Sequence, residues 1–109
     1  MKEVIWHTKA LEALRIFPEG IRKDLGYLIH RLQMGDKLTS PYSKPIRNIE
    51  IGVNELRVKD STGAYRVFYY LKTQKGILIF HAFKKKTQKT PKREIEMGKK
   101  NLKELFDEC

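Results

Sequence analysis

The sequence predicts an α+β fold: an N-terminal strand and a two-helix hairpin pack on a three- to four-stranded antiparallel sheet, and a C-terminal helix closes the domain. Two observations support this prediction. Apolar residues recur at helical spacing near the start and at the end of the chain, whereas in the middle they alternate with a period of two, which is typical of strands. A length of 109 residues suffices for one core, so residues 1–109 are predicted to form a single domain.

The first third of the chain is predicted to form a short strand and two helices. Residues 2–7 are rich in β-branched and aromatic side chains, which favour a strand. Thr8 is the expected N-cap of a first helix, which ends at Pro18 because proline lacks the backbone N–H. From 18 to 34 the apolar residues lie on one face of a second, amphipathic helix, and Gly35 is its expected C-terminal stop.

The middle of the chain is predicted to form the sheet. Residues 36–45 contain two prolines and are expected to be a loop, after which the alternation over 46–51 indicates a strand. The runs 55–59 and 65–72 flank the turn-forming residues DSTG. This arrangement predicts a β-hairpin.

A final strand and a helix complete the predicted fold. Gln74-Lys75-Gly76 is expected to turn the chain into 77–83, a continuous apolar run that is typical of a central strand. Thr90-Pro91 supplies a helix N-cap followed by proline at the first helical position. The apolar stripe of this closing helix consists of Ile95, Gly98, Leu102, Leu105 and Phe106.

The chain is strongly basic, with a formal net charge of +10. Nine of its 23 Lys and Arg residues, but only two of its 13 acidic residues, lie within 84–103. Because apolar residues continue through this segment at helical spacing, we expect a docked helix with its bases outward rather than a disordered tail. The charge favours an acidic partner, nucleic acid first and an acidic protein or a membrane surface second.

Composition also argues against several classes of protein. No apolar run approaches the roughly 20 residues that span a bilayer, and the N-terminus lacks the apolar stretch of a signal peptide. Cys109 is the only cysteine, and His7, His30 and His81 lack nearby acidic or thiol residues at ligand spacing. We therefore expect a cytoplasmic protein with no disulfide, no metal, no cofactor and no membrane partner.

The candidate site is a group of cations on adjacent strands. Arg57 and Lys59 share a strand face, Arg66 lies across the hairpin turn, and three lysines follow the next strand at 84–86. Arginine grips two phosphate oxygens, ammonium groups stabilise a pentacovalent phosphorus, and crowded ammoniums lower one another's pKa toward that of a general base. The alternative is that these bases solvate the surface or bind phosphate without cleaving it.

Other polar residues have two interpretations each. Glu55 is either a general base or the partner of an arginine, and His81, inside an apolar strand, is either a core histidine or a catalytic one. Tyr65, Tyr69 and Tyr70 are candidate stacking platforms for bases, although their positions in one strand require some of them to be core.

Four motifs resemble one family. The residues NELR at 54–57, GAYRVFY at 63–69, FHAFKKKTQKTP at 80–91 and EIE at 94–96 resemble the HigB-like, phage-derived branch of the RelE/ParE toxin superfamily, over nearly the whole chain. The resemblance implies a toxin of a type II toxin–antitoxin system. It also implies a ribosome-dependent mRNA endonuclease that cuts in the A site, without a metal, through attack of the ribose 2′-hydroxyl on the adjacent phosphate.

The resemblance also implies residue roles. Arg66 matches the arginine that holds the scissile phosphate, Arg57 matches a basic position on the preceding strand, and Lys85 or Lys86 is the general base or leaving-group acid. The residues expected to bind RNA or the ribosome are Lys59, Lys84, Lys89, Lys92, Arg93 and Tyr65. Some relatives carry a tyrosine or histidine after the last strand, whereas residues 87–91 contain neither.

The implied partners are the ribosome, mRNA and a cognate antitoxin of the helix-turn-helix type, through which alone the toxin would reach operator DNA. Two alternatives remain open: a ParE-like inhibitor of DNA gyrase, and an inactive module that binds RNA or the ribosome. The basic residues after the last strand favour the endonuclease, since an inhibitor that only binds protein does not need them.

Overall fold

A computed structural model of the chain describes residues 1–71, 73, 76–86 and 89–108. The predicted strand end at Lys72, the predicted turn residues Gln74 and Lys75, residues 87–88 and Cys109 lie outside this set. Along the described residues the elements are β1 (Val4–Trp6), α1 (Thr8–Arg15), α2 (Glu19–Gln33), β2 (Ser43–Pro45), β3 (Val53–Asp60), β4 (Gly63–Tyr70), β5 (Ile77–Lys85) and α3 (Lys92–Glu108).

The predicted α+β fold is confirmed, with a sheet that is larger than expected and mixed. Its five strands follow the order β1-β5-β4-β3-β2. β2 to β5 pair antiparallel, but β1 pairs parallel with β5, with Val4 opposite Ile77. The N-terminal strand therefore extends the sheet instead of packing on it, because the backbone N–H of Ile77 donates to Glu3 and that of His7 donates to Ile79, both at 2.8 Å.

The predicted strand at 46–51 is wrong, because this stretch forms turns. The edge strand lies earlier, in β2, within the segment expected to be a loop. The apolar pattern of residues 46–51 has another origin, because Ile46 and Ile49 are partly buried against the core under α3. β2 is fixed by its pairing with β3 and by the Ser43 hydroxyl, which lies 2.5 Å from the Tyr69 hydroxyl.

The first helix is capped by His7 and not by Thr8, which is its first helical residue. The His7 Nδ1 accepts a hydrogen bond from the backbone N–H of Lys9 at 3.1 Å, and its Nε2 lies 2.7 Å from the Glu104 carboxylate of α3. One imidazole thus caps α1 and ties it to α3. The closing helix starts at Lys92, one residue later than predicted.

The sheet is covered on both faces. α1 and α2 pack on one face, around Leu56, Val67 and Ile79, and α3 packs on the other, around Phe68 and Phe80. Phe106, expected in the stripe of α3, is 41% exposed, although its ring meets that of Tyr70 at 5.3 Å. Among the described residues, none of the helices combines the length and the apolar character needed to cross a bilayer.

Candidate active site

Charged residues occupy one end of the sheet face that α3 packs against. Cross-strand partners lie on the same face of a sheet. Arg57 pairs with Arg66, which pairs with Phe83, and Glu55 pairs with Phe68. The arginines and the glutamate therefore lie on the α3 face, directly beside the aromatic core under that helix.

A β-bulge in β5 determines which of the lysines at 84–86 lies on the same face of the sheet as Arg57 and Arg66. Phe68 pairs with His81, but Tyr69 pairs with Ile79, so Phe80 is an extra residue in β5. A bulge of this kind shifts the alternation of the strand by one position and re-aims every side chain beyond it.

The bulge separates two neighbouring lysines. Beyond it, Lys85 shares the α3 face with Arg66, and Lys85 is a buried residue at 9% exposure. Lys84 lies on the opposite face, where its ammonium is 5.9 Å from the centre of the Tyr65 ring. The expected row of three adjacent lysines is therefore divided between the two faces of the sheet, and Lys85 is the one beside the arginines.

Glu55 lies at the centre of this group. Its Oε1 is 3.5 Å from the Arg66 Nε and 3.7 Å from the Arg57 Nε. Glu55 and Arg66 are 3% and 7% exposed. Lys85 and Lys44 also act on the Glu55 carboxylate through their charges. We call these five residues, Glu55, Arg57, Arg66, Lys85 and Lys44, the Glu55 cluster.

Burial shifts the pKa values within the Glu55 cluster. Burial raises the pKa of Glu55 above 4.5, and the nearby cations offset this only in part. Burial, and next the charge of Arg66, lower the pKa of Lys85 below 10.5, while Glu55 acts in the opposite direction. Burial also lowers the pKa of Arg66, although a guanidinium remains protonated in proteins. Lys85 is thus the cluster's candidate for proton transfer.

Two buried atoms of the cluster, the Glu55 Oε2 and the Arg66 Nε, have no hydrogen-bond partner among the described residues. The Arg66 Nη1 donates to the Tyr65 carbonyl at 3.2 Å. Burying a polar atom without a partner costs about 1–3 kcal/mol. The Arg66 Nε thus faces the Glu55 carboxylate at 3.5 Å as an ion pair without a hydrogen bond.

The other predicted binding residues fall into two groups. Lys59 is exposed on the same strand face as Arg57, two residues along β3. Lys86, Lys89, Lys92 and Arg93 are all exposed between the end of β5 and the first turn of α3. The Arg93 Nε lies 3.9 Å from the Glu94 carboxylate. Lys59 and Lys86 lie two residues from Arg57 and one residue from Lys85 along the chain, so these two cations continue the positive charge of the Glu55 cluster.

Tyr65 lies in the core. It is 2% exposed, its ring centre is 4.8 Å from that of Phe17, and its hydroxyl lies 2.7 Å from that of Thr62. Tyr69 is equally buried. Because a stacked base needs an open ring face, we assign both rings to packing, and the RNA interface proposed below does not include Tyr65.

His81 anchors α3 to the sheet. Its Nε2 lies 2.7 Å from the Glu94 carboxylate, and the Asn101 side chain donates to the Phe80 carbonyl at 2.9 Å. Burial lowers the pKa of His81 despite this carboxylate, so the neutral ring donates to Glu94. This supports the interpretation of His81 as a core histidine. Within the described part of the chain, no three or more His, Cys, Asp or Glu side chains group to hold a metal ion.

Sequence reasoning missed three residues at the site. Lys44 pairs with Glu55 across β2 and β3, but the prolines around it predicted a loop. Tyr27 and Tyr42 line a pocket with Arg57 and Arg66. For Tyr27 a signal was available, since an aromatic residue stands on the polar face of an amphipathic helix.

Comparison with known proteins gives a family. Residues 12–103 match the family model described as phage-derived protein Gp49-like (DUF891). No curated protein matched the chain. The matched range includes the whole Glu55 cluster. Gp49-like proteins belong to a toxin family, which is consistent with a toxin of a toxin–antitoxin system. With most of its length matched, the chain belongs to the phage-derived Gp49-like family.

Proposed function

We propose that this protein is the toxin of a type II toxin–antitoxin pair and acts as a HigB-like, ribosome-dependent mRNA endonuclease in the ribosomal A site. The observation that carries the proposal is the gathering of Arg57, Arg66 and Lys85 around one buried carboxylate at the end of the sheet. Rigid cations held in this way suit a phosphodiester, whose negative charge increases in the transition state.

Each cation has a role in the proposed reaction. Arg66 donates to the non-bridging oxygens of the scissile phosphate through the part of its guanidinium that lines the pocket with Arg57. Arg57 neutralises charge on the same phosphate. Because these groups are preorganised by strand pairing, they need little rearrangement as the charge develops.

Lys85 moves the proton in this proposal. Its lowered pKa increases the share of neutral amine, which takes the proton of the ribose 2′-hydroxyl. The 2′ oxygen forms a bond to phosphorus as the bond to the 5′ oxygen breaks, and that oxygen leaves with a proton from Lys86 or water. The products are a 2′,3′-cyclic phosphate and a 5′-hydroxyl.

The geometry favours this reaction over gyrase inhibition. A surface that only binds protein gains little from an arginine and a lysine that are both more than nine-tenths buried. Burial of these cations costs free energy. In an endonuclease this cost is offset, because buried cations stabilise the negative charge of the transition state more strongly than exposed ones do.

The proposed partners follow from the surface charge. With a net charge of +10, the free toxin would bind an antitoxin segment rich in acidic residues, and such a segment over the Glu55 cluster would block phosphate. The antitoxin is proposed to be of the helix-turn-helix type and to make the contacts with operator DNA.

The test is cleavage of an mRNA with and without ribosomes, read by primer extension. Wild-type protein is expected to cut only on ribosomes, and Arg66→Ala is expected to lower the rate by about 10²–10³-fold, as loss of a charge-stabilising donor does. Arg15→Ala is the matched control, because Arg15 is exposed at the end of α1. Absence of cuts in both conditions would refute the endonuclease, and gyrase inhibition that survives Arg66→Ala would support the ParE-like alternative.

A further inference from the structure

A groove extends from the arginines to the second helix, and β3 contributes to it from both faces of the sheet: Arg57 and Lys59 from the α3 face and Val58 from the α2 face. It has a volume of about 640 Å³, within the roughly 300–1,000 Å³ typical of sites for small ligands. Arg57, Lys59 and Arg66 line one side, and Tyr27 and Arg31 line the other. The phosphate site and α2 therefore share one continuous opening.

The groove contains two exposed aromatic rings. Tyr27 is 63% exposed and Tyr42 is 51% exposed, in contrast to the buried Tyr65 and Tyr69. Positions 24, 27, 28 and 31 of α2 line the groove, and their spacing places them on one stripe of the helix. Leu28, which also belongs to this stripe, is buried and gives the groove an apolar residue next to Tyr27 in the sequence.

Electrostatics favour an anionic occupant. Arg31, Arg57, Lys59 and Arg66 line the groove, against a single carboxylate from Asp24 among its lining residues. The guanidinium of Arg31 lies 5.9 Å from the centre of the Tyr27 ring. Arginine beside an aromatic ring adds a second flat surface on which a base can stack.

We propose that this groove holds the nucleotides next to the phosphate bound by Arg66, with one base stacked on Tyr27 and a neighbouring base on Tyr42. The inference rests on the proposed function and extends it, because it assigns base contacts to α2 and residues 41–42 instead of to the strands. Stacking on tyrosine tolerates every base, whereas Asp24 accepts hydrogen bonds and favours bases with an exposed amino group.

Single-stranded RNA fits the groove better than an antitoxin helix does. A helix in a groove is anchored by several buried apolar side chains at i, i+3, i+4 and i+7. Here the aliphatic lining is limited to Leu28, Pro41 and Val58, whereas two tyrosine rings with polar ends and four cations match alternating bases and phosphates. Antitoxin binding is retained as an outcome of the test.

The test compares binding of two probes by fluorescence anisotropy: a short labelled oligoadenylate, and the same ribose-phosphate chain without bases. Tyr27→Ala and Tyr42→Ala are each expected to weaken oligoadenylate binding by about fivefold or more, the effect of losing one stacked base. Binding of the abasic chain should change by less than twofold. Tyr27→Phe should bind like the wild type, because it keeps the ring.

Phe106→Ala serves as the matched control, since Phe106 is an exposed aromatic residue on α3 outside this groove. Thermal unfolding confirms that each variant is folded. Equal weakening for both probes, or no weakening for either, would overturn the inference. So would a variant that binds oligoadenylate normally but no longer copurifies with the antitoxin.

The ribosome assay keeps the two proposals apart. If wild-type protein cuts mRNA on ribosomes while the tyrosine variants bind both probes normally, the endonuclease stands and the groove is refuted. If wild-type protein cuts no mRNA while the tyrosine variants lose oligoadenylate binding alone, the groove stands as an RNA site and the endonuclease is refuted.

Discussion

The sheet face that packs against α3 has two halves of opposite character. Under the helix it is apolar: Phe68 is fully buried, and its ring lies 6.0 Å from that of Phe80 and 5.5 Å from that of Phe83. Two residues further along the same strands it carries the paired Arg57 and Arg66. The comparison shows that one sheet serves both as core and as site, with no separate element for the chemistry among the described residues.

The boundary between the halves is set by polar contacts at the start of α3. His81 holds Glu94 in the first turn at 2.7 Å, and the helix begins at Lys92. The Glu94 Oε1 is therefore bound to the sheet, and its Oε2 lies 3.9 Å from the Nε of the exposed Arg93. We infer that changes in the covered half alter stability, whereas changes in the charged half alter activity.

Phe68→Ala is expected to give the largest effect on stability. Removing a fully buried phenylalanine leaves a cavity and costs about 3–5 kcal/mol of unfolding free energy. The measurement is urea denaturation, with Phe68→Leu as a milder variant that still folds if the alanine variant does not. A loss of less than about 1 kcal/mol in the alanine variant would contradict the division of the face into core and site.

Lys85→Ala and Lys84→Ala test the charged half with two adjacent lysines. Lys85→Ala is expected to lower the rate of ribosome-dependent cleavage by about 10²–10⁴-fold, as loss of a proton-transfer group does. Lys84 lies on the other face beside Tyr65, so Lys84→Ala should lower it by about tenfold at most. Both rates come from primer extension at equal toxin concentration. The reverse ranking would show that the bulge does not select Lys85.

The bulge also explains what sequence reasoning missed. The two runs on either side of the DSTG turn identified β3 and β4, a continuous apolar run identified β5, and helical spacing identified the helices, because these patterns follow from burial and from turn residues. Which of Lys84 and Lys85 faces Arg66 depends on one extra residue, Phe80, within an uninterrupted apolar run. In an uninterrupted apolar run no polar residue shows where the alternation of faces shifts by one position, so the hydrophobic pattern of the sequence cannot reveal the bulge.

Other differences arose where tertiary contacts override local pattern. The alternation at 46–51 comes from Ile46 and Ile49 packing from a turn, not from a strand. The site was predicted through Arg57 and Arg66 because a hairpin places residues across a turn in register. Tyr27 was missed, since its proximity to these arginines depends on how α2 crosses the sheet.

Glu55→Gln is expected to shift the pH dependence of cleavage. The Glu55 carboxylate raises the pKa of Lys85 against the effect of burial, so removing its charge lowers that pKa further. If neutral Lys85 is the base, the rise of the single-turnover rate with pH moves to lower pH in the variant. A profile that keeps its midpoint while the rate falls would assign Glu55 to packing alone.

The same variant has a signature in stability. Because the folded-state pKa of Glu55 is raised, its protonated form stabilises the fold fully below pH 4.5, and this stabilisation is lost as the pH rises through the raised value. As the pH rises from 4.5 through the raised pKa of Glu55, the wild-type protein should therefore lose stability relative to Glu55→Gln. Urea denaturation at several pH values measures the difference, which would be independent of pH if Glu55 titrated normally.

Two glycine variants give the smallest expected effects, of opposite sign. Gly26, in α2, has no atom within 4 Å of an added Cβ, so Gly26→Ala should stabilise the protein by about 0.5–1 kcal/mol through helix propensity. An added Cβ at Gly98, in α3, would lie 2.9 Å from the Phe68 Cδ2. Overpacking of this kind costs about 1–3 kcal/mol, which exceeds the gain in propensity.

The outcome at Gly98 depends on whether the Phe68 ring can move. That ring is fully buried and lies within 6.0 Å of the rings of Phe80, His81 and Phe83, so we expect net destabilisation by about 1 kcal/mol in Gly98→Ala. The double variant Gly98→Ala/Phe68→Leu provides the check, because the smaller side chain makes room for the methyl group. If Gly98→Ala destabilises the wild-type protein and the Phe68→Leu variant equally, the cost does not arise from the contact between the added methyl group and the Phe68 ring.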